Sequence, residues 1–136
     1  MLNEALATEL VCVLRYKRHY YTVSGLQNGP IKAEFLEHAQ QEQKHADSLA
    51  ERIVQLNGQP DFNPATLLDR SHAEYDASED VQAMIRSNLI AERVAIESYR
   101  QMIEQIGDTD PTTRHLLISI MAVEEEHADD MRDLLE

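Results

Sequence analysis

Along four stretches of the chain, apolar residues recur at alternating steps of three and four, the spacing of a helix that buries one face in a bundle. The stripe runs Leu2, Leu6, Glu9, Val13, Tyr16, Tyr20, Val23 in the first stretch. In the second it is Phe35, His38, Glu42, His45, Leu49, Ile53, Leu56. The third carries Val81, Ile85, Asn88, Glu92, Ala95, Tyr99, Met102, Ile106 and the fourth Leu117, Ile120, Glu124, His127, Met131, Leu134. All four stripes turn acidic near mid-helix, so four carboxylates face the interior the stripes predict.

Turn chemistry separates the stretches. Gly25 and Asn28-Gly29-Pro30 close the first, Asn57-Gly58-Gln59-Pro60 the second, and Gly107-Asp108-Thr109-Asp110-Pro111 the third. The spacing predicts helices over 2–24, 31–56, 79–106 and 111–135. Pro30 and Pro111 fall in first turns, where a missing N–H costs little, and Asp110 serves as an N-cap. Short first and third connections join antiparallel neighbours, whereas 22 residues (57–78) separate the middle helices. Bringing Glu42 level with Glu92 on parallel helices requires a crossover of roughly 40 Å at 1.5 Å per helical residue. A chain of that length spans it at about 3.3 Å per residue, with a short helical turn expected around Ala65 to Tyr75. The predicted fold is all-α, a four-helix bundle of two antiparallel pairs with a long crossover, in one domain over 1–136.

Composition narrows the function. With only 4 Gly and 4 Pro, the chain is too poor in turn-formers for a many-stranded β protein. Twenty-five acidic residues against 12 basic ones give a net charge of −13, which disfavours nucleic acid and anionic lipid and favours cations. The single Cys12 excludes an internal disulfide and a four-cysteine metal site. The opening residues contain Glu4 and Glu9 and no uninterrupted apolar run, so the chain reads as cytoplasmic, without a signal peptide or membrane anchor.

The chemistry sits in a repeat. Glu42-Gln43-Lys44-His45-Ala46-Asp47 and Glu124-Glu125-Glu126-His127-Ala128-Asp129 share Glu-x-x-His-Ala-Asp, and single glutamates precede them: Glu9 by 33 residues and Glu92 by 32. Tyr16 and Tyr99 each follow the single glutamate by seven. Positions i and i+3 share a helix face, so each Glu/His pair offers an oxygen and a nitrogen to one point. Four ionised carboxylates inside a bundle repel one another and cost several kcal/mol each in lost hydration; two divalent cations cancel their charge. Mixed glutamate and imidazole donors suit iron or manganese, and dinuclear carboxylate bundles use this donor set.

On these motifs the chain resembles the ferritin superfamily, bacterioferritin in particular, from Leu2 to Leu135, with Thr-Glu-Leu-Val around Glu9 and Lys-His-Ala-Asp after Glu42. The resemblance implies that Glu9, Glu42, His45, Glu92, Glu124 and His127 bind two iron ions per chain. Glu42 and Glu124 would bridge, Glu9 and Glu92 would be terminal, and Tyr16 would stand near the centre as an active-site residue. It implies Fe2+ oxidation by dioxygen or hydrogen peroxide, a homo-oligomeric shell and iron storage. Gln43 stands where bacterioferritin carries its haem-ligating methionine, so haem is not expected. The given residues carry no fifth helix of the kind that lines pores in ferritin and bacterioferritin cages, so a dimer, a 12-subunit and a 24-subunit assembly all stay open.

Alternative functions use the same donor set. A di-iron or di-manganese oxygenase, a rubrerythrin-like peroxidase or a catalase would direct the oxidant at another molecule, and a third reading has metal serving stability alone. Plainer roles are assigned elsewhere: His38 a hydrogen-bonded seam histidine or outer ligand, His19, His72 and His115 facing solvent, and Tyr99 a core aromatic. Asp47 and Asp129 are read as interhelix or interface contacts, and Cys12 as a packed small residue.

Overall fold

A computed structural model describes residues 1–135, which form α1 (Leu2–Thr22), a 3-10 turn (Leu26–Asn28), α2 (Gly29–Gln55), α3 (Leu67–Arg70), α4 (Val81–Ile106) and α5 (Pro111–Leu135). Among these residues there is no strand, and no helix is long and apolar enough to cross a membrane. α1 packs along α2, and α4 along α5. Residue pairing gives the directions: on α1 and α4, Glu9 meets Tyr99 and Tyr16 meets Glu92; on α2 and α5, His38 meets Asp130 and Arg52 meets Thr113. Both pairings are antiparallel, so α2 and α4 run parallel, as the long crossover requires.

The helix ends follow local chemistry. α1 stops two residues before the predicted 24 because Val23 turns extended and Gly25 adopts φ 101°, a left-handed conformation glycine tolerates. α2 begins at Gly29, two residues earlier than predicted, with Pro30 in its first turn. It ends at Gln55, one residue before the predicted 56; Asn57 just beyond adopts φ 65°, and Leu56 is 47% exposed rather than in the seam. Asp80 caps α4 by accepting the Ala83 N–H at 2.9 Å, and Asp110 caps α5 by accepting the Thr113 N–H at 3.1 Å. In the crossover, only Leu67–Arg70 is helical, less than the expected turn from 65 to 75.

Two apolar clusters bracket the middle of the bundle. One gathers Leu6, Leu49, Ile53, Tyr99, Leu117 and Ile120; the other gathers Tyr16, Phe35, Met84, Ile85, Leu89 and Met131. Burial of each large aliphatic side chain there stabilises the fold by about 1.5–3 kcal/mol. The polar residues between them lie between two packed apolar layers.

The returning end of the crossover is bound by a buried polar network. Arg15 of α1, fully buried, donates from Nε to Asn88 Oδ1 (2.7 Å) and from Nη1 to the Glu74 carbonyl (3.1 Å). Asn88 Nδ2 donates to His19 Nδ1 (2.9 Å), which leaves His19 Nε2–H to donate to Asp76 Oδ2 (2.9 Å). His19 is therefore an interior residue, contrary to the expected solvent-facing role: its ring lies beside Phe35 of α2, and the loop brings Asp76 over its outer nitrogen. Ala73 closes the same face against Val11, Cys12 and Ala91.

Candidate metal centre

The four acidic interruptions meet in one place. Glu9 comes from α1, Glu42 and His45 from α2, Glu92 from α4, and Glu124 and His127 from α5. All are buried except His45, which is partly buried. Their donor atoms form two overlapping groups, each with all atoms within 4.8 Å of one another: Glu9, Glu42, His45 and Glu124, and Glu42, Glu92, Glu124 and His127. Each group has one private glutamate and one private histidine. Glu42 and Glu124 belong to both.

Both imidazoles turn Nδ1 inward, His127 to Glu42 Oε1 at 2.8 Å and His45 to Glu124 Oε1 at 3.0 Å. The outer nitrogen of His127 bonds the side-chain oxygen of Gln41, which orients the ring in the way a partner beyond the ligands orients a ligating histidine. Two phenols hold the single glutamates: Tyr16 donates to Glu92 Oε1 at 2.8 Å and Tyr99 to Glu9 Oε1 at 2.5 Å. After these bonds, Oε2 of Glu9, Glu42, Glu92 and Glu124 is buried without a hydrogen-bond partner. An unsatisfied buried polar atom costs about 1–3 kcal/mol, more when charged. Four in one spot, facing two inward nitrogens, fit a pair of cations.

The titration of the centre reflects the same crowding. Burial, then the charge of Glu42, pushes the Glu9 carboxyl up to about 8. Burial, then Glu42 and Glu9, pushes Glu124 well above the usual carboxylate range. Glu42 goes the other way: burial opposes its charge, but the neighbouring Glu9 carboxyl and the His127 and His45 rings hold it well below that range. Burial alone would lower the two histidines. The nearby carboxyls of Glu42 and Glu9 instead raise His45 to about 9, and those of Glu42 and Glu92 raise His127 to about 10. Without a cation the centre keeps protons that a cation must displace.

The structure brings together all six candidate ligands and places Tyr16 against one of them. Tyr99 is a core aromatic, as expected, and its hydroxyl bonds Glu9 as that of Tyr16 bonds Glu92. His38 is buried and hydrogen-bonded, Cys12 is buried, and His72 and His115 are exposed. Asp47 and Asp129 are exposed and bond within their own helices, to Gln43 and Arg132, rather than between helices. Gln43 itself is exposed. Sequence reasoning misses Gln41, which is off the stripe and becomes relevant only through the rotamer of His127. It also misses Arg15, which periodicity alone would place outside.

An all-helical bundle with paired Glu-x-x-His helices and two further glutamates offers carboxylate and imidazole groups able to hold metal. The family model for the ferritin-like domain matches residues 1–136, and the chain belongs to that family. It is 30% identical over 130 residues to a nutrient stress-induced DNA-binding protein from Synechococcus, covering 93% of this chain and 74% of that one. Against a bacterioferritin from Desulfovibrio desulfuricans it is 27% identical over 128 residues, covering 93% and 68%. Among solved structures, the bacterioferritin-related protein of Bacteroides fragilis, described as a dodecameric thioferritin, superposes with TM-score 0.93 at 32% identity, covering 98% and 81%. The Dps of Thermosynechococcus elongatus shares the fold, with TM-score 0.94 at 23% identity.

Proposed function

We propose that the protein oxidises Fe2+ at a dinuclear centre within each chain, using dioxygen or hydrogen peroxide as oxidant, and holds the product in a homo-oligomeric shell in the cytoplasm. The observation that carries this reading is the set of four buried glutamate oxygens without partners, divided into two groups that share Glu42 and Glu124. Iron is substrate here, with manganese the alternative occupant. When bound, two ferrous ions supply two electrons to the oxidant, one from each. The chain supplies the rest. Glu42 and Glu124 reach both positions, Glu9 and Glu92 each reach one, and His45 and His127 offer one neutral nitrogen each after losing a proton.

Tyr16 and Tyr99 hold the terminal carboxylates by one oxygen and leave the other free, so each can turn toward an ion as its charge rises. Carboxylates suit this task because anionic oxygen stabilises the ferric product. Anaerobic titration with Fe2+ is expected to saturate near two ions per chain, and admitting air is expected to oxidise both. Saturation at one ion, or binding without oxidation, would count decisively against the reading.

The relatives named for DNA binding raise a separate question. A net charge of −13 per chain opposes a polyanion. We expect no retardation of duplex DNA in a gel at physiological salt. A salt-sensitive shift at micromolar protein would show that assembly creates a basic surface the single chain lacks. Assembly itself is proposed by likeness to the Bacteroides fragilis protein described as dodecameric, with light scattering as its measure.

A further inference from the structure

Beside the buried centre lies a second convergence of donor atoms that the iron reading does not use. His38, on α2 one turn before Glu42, has a side chain only 1% exposed and stacks on the His127 ring with centroids 3.9 Å apart. Its Nδ1 lies 3.1 Å from the Tyr16 hydroxyl. Its Nε2 lies 3.1 Å from Glu34 Oε2 and 3.1 Å from Asp130 Oδ2. The three donor atoms lie within 4.8 Å of one another.

Counting protons makes this arrangement informative. The Tyr16 phenol has one proton, and it goes to Glu92 Oε1 at 2.8 Å. Its oxygen can then only accept from His38, so Nδ1 carries the ring proton. In the neutral ring Nε2 is therefore a bare lone pair, and it points at two carboxylates with no hydrogen among the three. Such a convergence is relieved by a second ring proton or by a metal cation between the three. The carboxylates are 34% and 45% exposed, so a hydrated ion reaches them from solvent while the nitrogen is offered from the interior.

We propose that Glu34, His38 and Asp130 form a mononuclear site for a divalent first-row transition cation, separate from the buried pair. One imidazole nitrogen and two carboxylates are a mixed set that Zn2+, Fe2+ or Mn2+ accepts, with water completing the shell. Such an ion also locks the proton on Nδ1. That fixes the Tyr16 hydroxyl as a donor to Glu92 and ties occupancy of the outer site to the orientation of one carboxylate in the centre.

The site does not depend on the iron reading, and the experiment separates them. The assembled protein, stripped of metal with a chelator, is dialysed against Zn2+, and bound metal is counted and located by anomalous diffraction at the zinc edge. The native chain is expected to bind three ions, Glu34→Gln/Asp130→Asn two, and Glu9→Gln/Glu124→Gln one. A peak is expected about 2.1 Å from His38 Nε2. Full zinc content in Glu34→Gln/Asp130→Asn, or no density at Nε2, overturns the proposal and assigns a second ring proton to His38. One ion in the native chain and none in Glu34→Gln/Asp130→Asn upholds the outer site while removing the buried pair.

Discussion

Glu9→Gln/Glu124→Gln is expected to slow Fe2+ oxidation by more than about 100-fold while leaving the metal-free protein as stable as before, within about 1 kcal/mol. The two halves of this expectation have one origin. Glu9 and Glu124 are the carboxyls whose pKa values burial and neighbouring charge push up, Glu9 to about 8, so in the absence of metal their environment favours the protonated form. Glutamine copies that state in shape and charge. Its amide oxygen accepts from Tyr99 at position 9 and from His45 at position 124, as the glutamates do. An amide cannot become an anion, however, so the group containing Glu9 loses two anionic ligands and the group containing Glu92 loses one. The measurements are the initial oxidation rate and the urea midpoint of the apoprotein. Were the glutamates present only to hold the bundle together, the midpoint would move and the rate would follow it. Glu42→Gln serves as a contrast, since it breaks a buried pair with His127 and is expected to cost about 3–5 kcal/mol.

The second large effect is a reversal in the pH dependence of stability. Glu9 at about 8, His45 at about 9 and His127 at about 10 all lie above the values the unfolded chain would show. The folded apoprotein thus keeps protons that the unfolded chain releases. Its stability contribution from these groups is complete below the unfolded values and is lost as pH rises through the folded ones. For the histidines that window opens at 6.5 and closes near 9 and 10; for Glu9 it runs from 4.5 to about 8. At about 1.4 kcal/mol per unit for each group, the apoprotein loses several kcal/mol between pH 6 and 9. Saturating Zn2+ takes the place of the protons, so the stabilisation it adds grows over the same interval. Denaturation midpoints measured with and without zinc at fixed protein concentration are expected to diverge as pH rises. An apoprotein whose midpoint is flat or climbing from pH 6 to 9 rules out a proton-filled centre.

The bundle is legible in the chain because its signals reinforce one another: a stripe of period 3.6, glycine and proline at the ends, and an acid cap at Asp110. The six converging donors are legible for the same reason, since a glutamate that recurs on the buried stripe of every helix has nowhere else to point. Arg15 and His19 are different. They lie inside because the crossover folds back over α1 and supplies Glu74 and Asp76 to them, a contact between residues about 60 apart that no local pattern encodes. The orientation of His38 likewise depends on which acceptor takes the phenol proton of Tyr16, a matter of three-dimensional bonding.

The two phenol–carboxylate bonds cross between the hairpins in opposite senses, Tyr16 of the first to Glu92 of the second and Tyr99 of the second to Glu9 of the first. This reciprocity is the hallmark of an isologous contact, the kind formed when two identical chains pair about a twofold axis. The protein is thus built like a dimer closed within one polypeptide. Its crossover replaces dependence on protomer concentration with a fixed effective molarity, so the pairing of the two halves survives dilution.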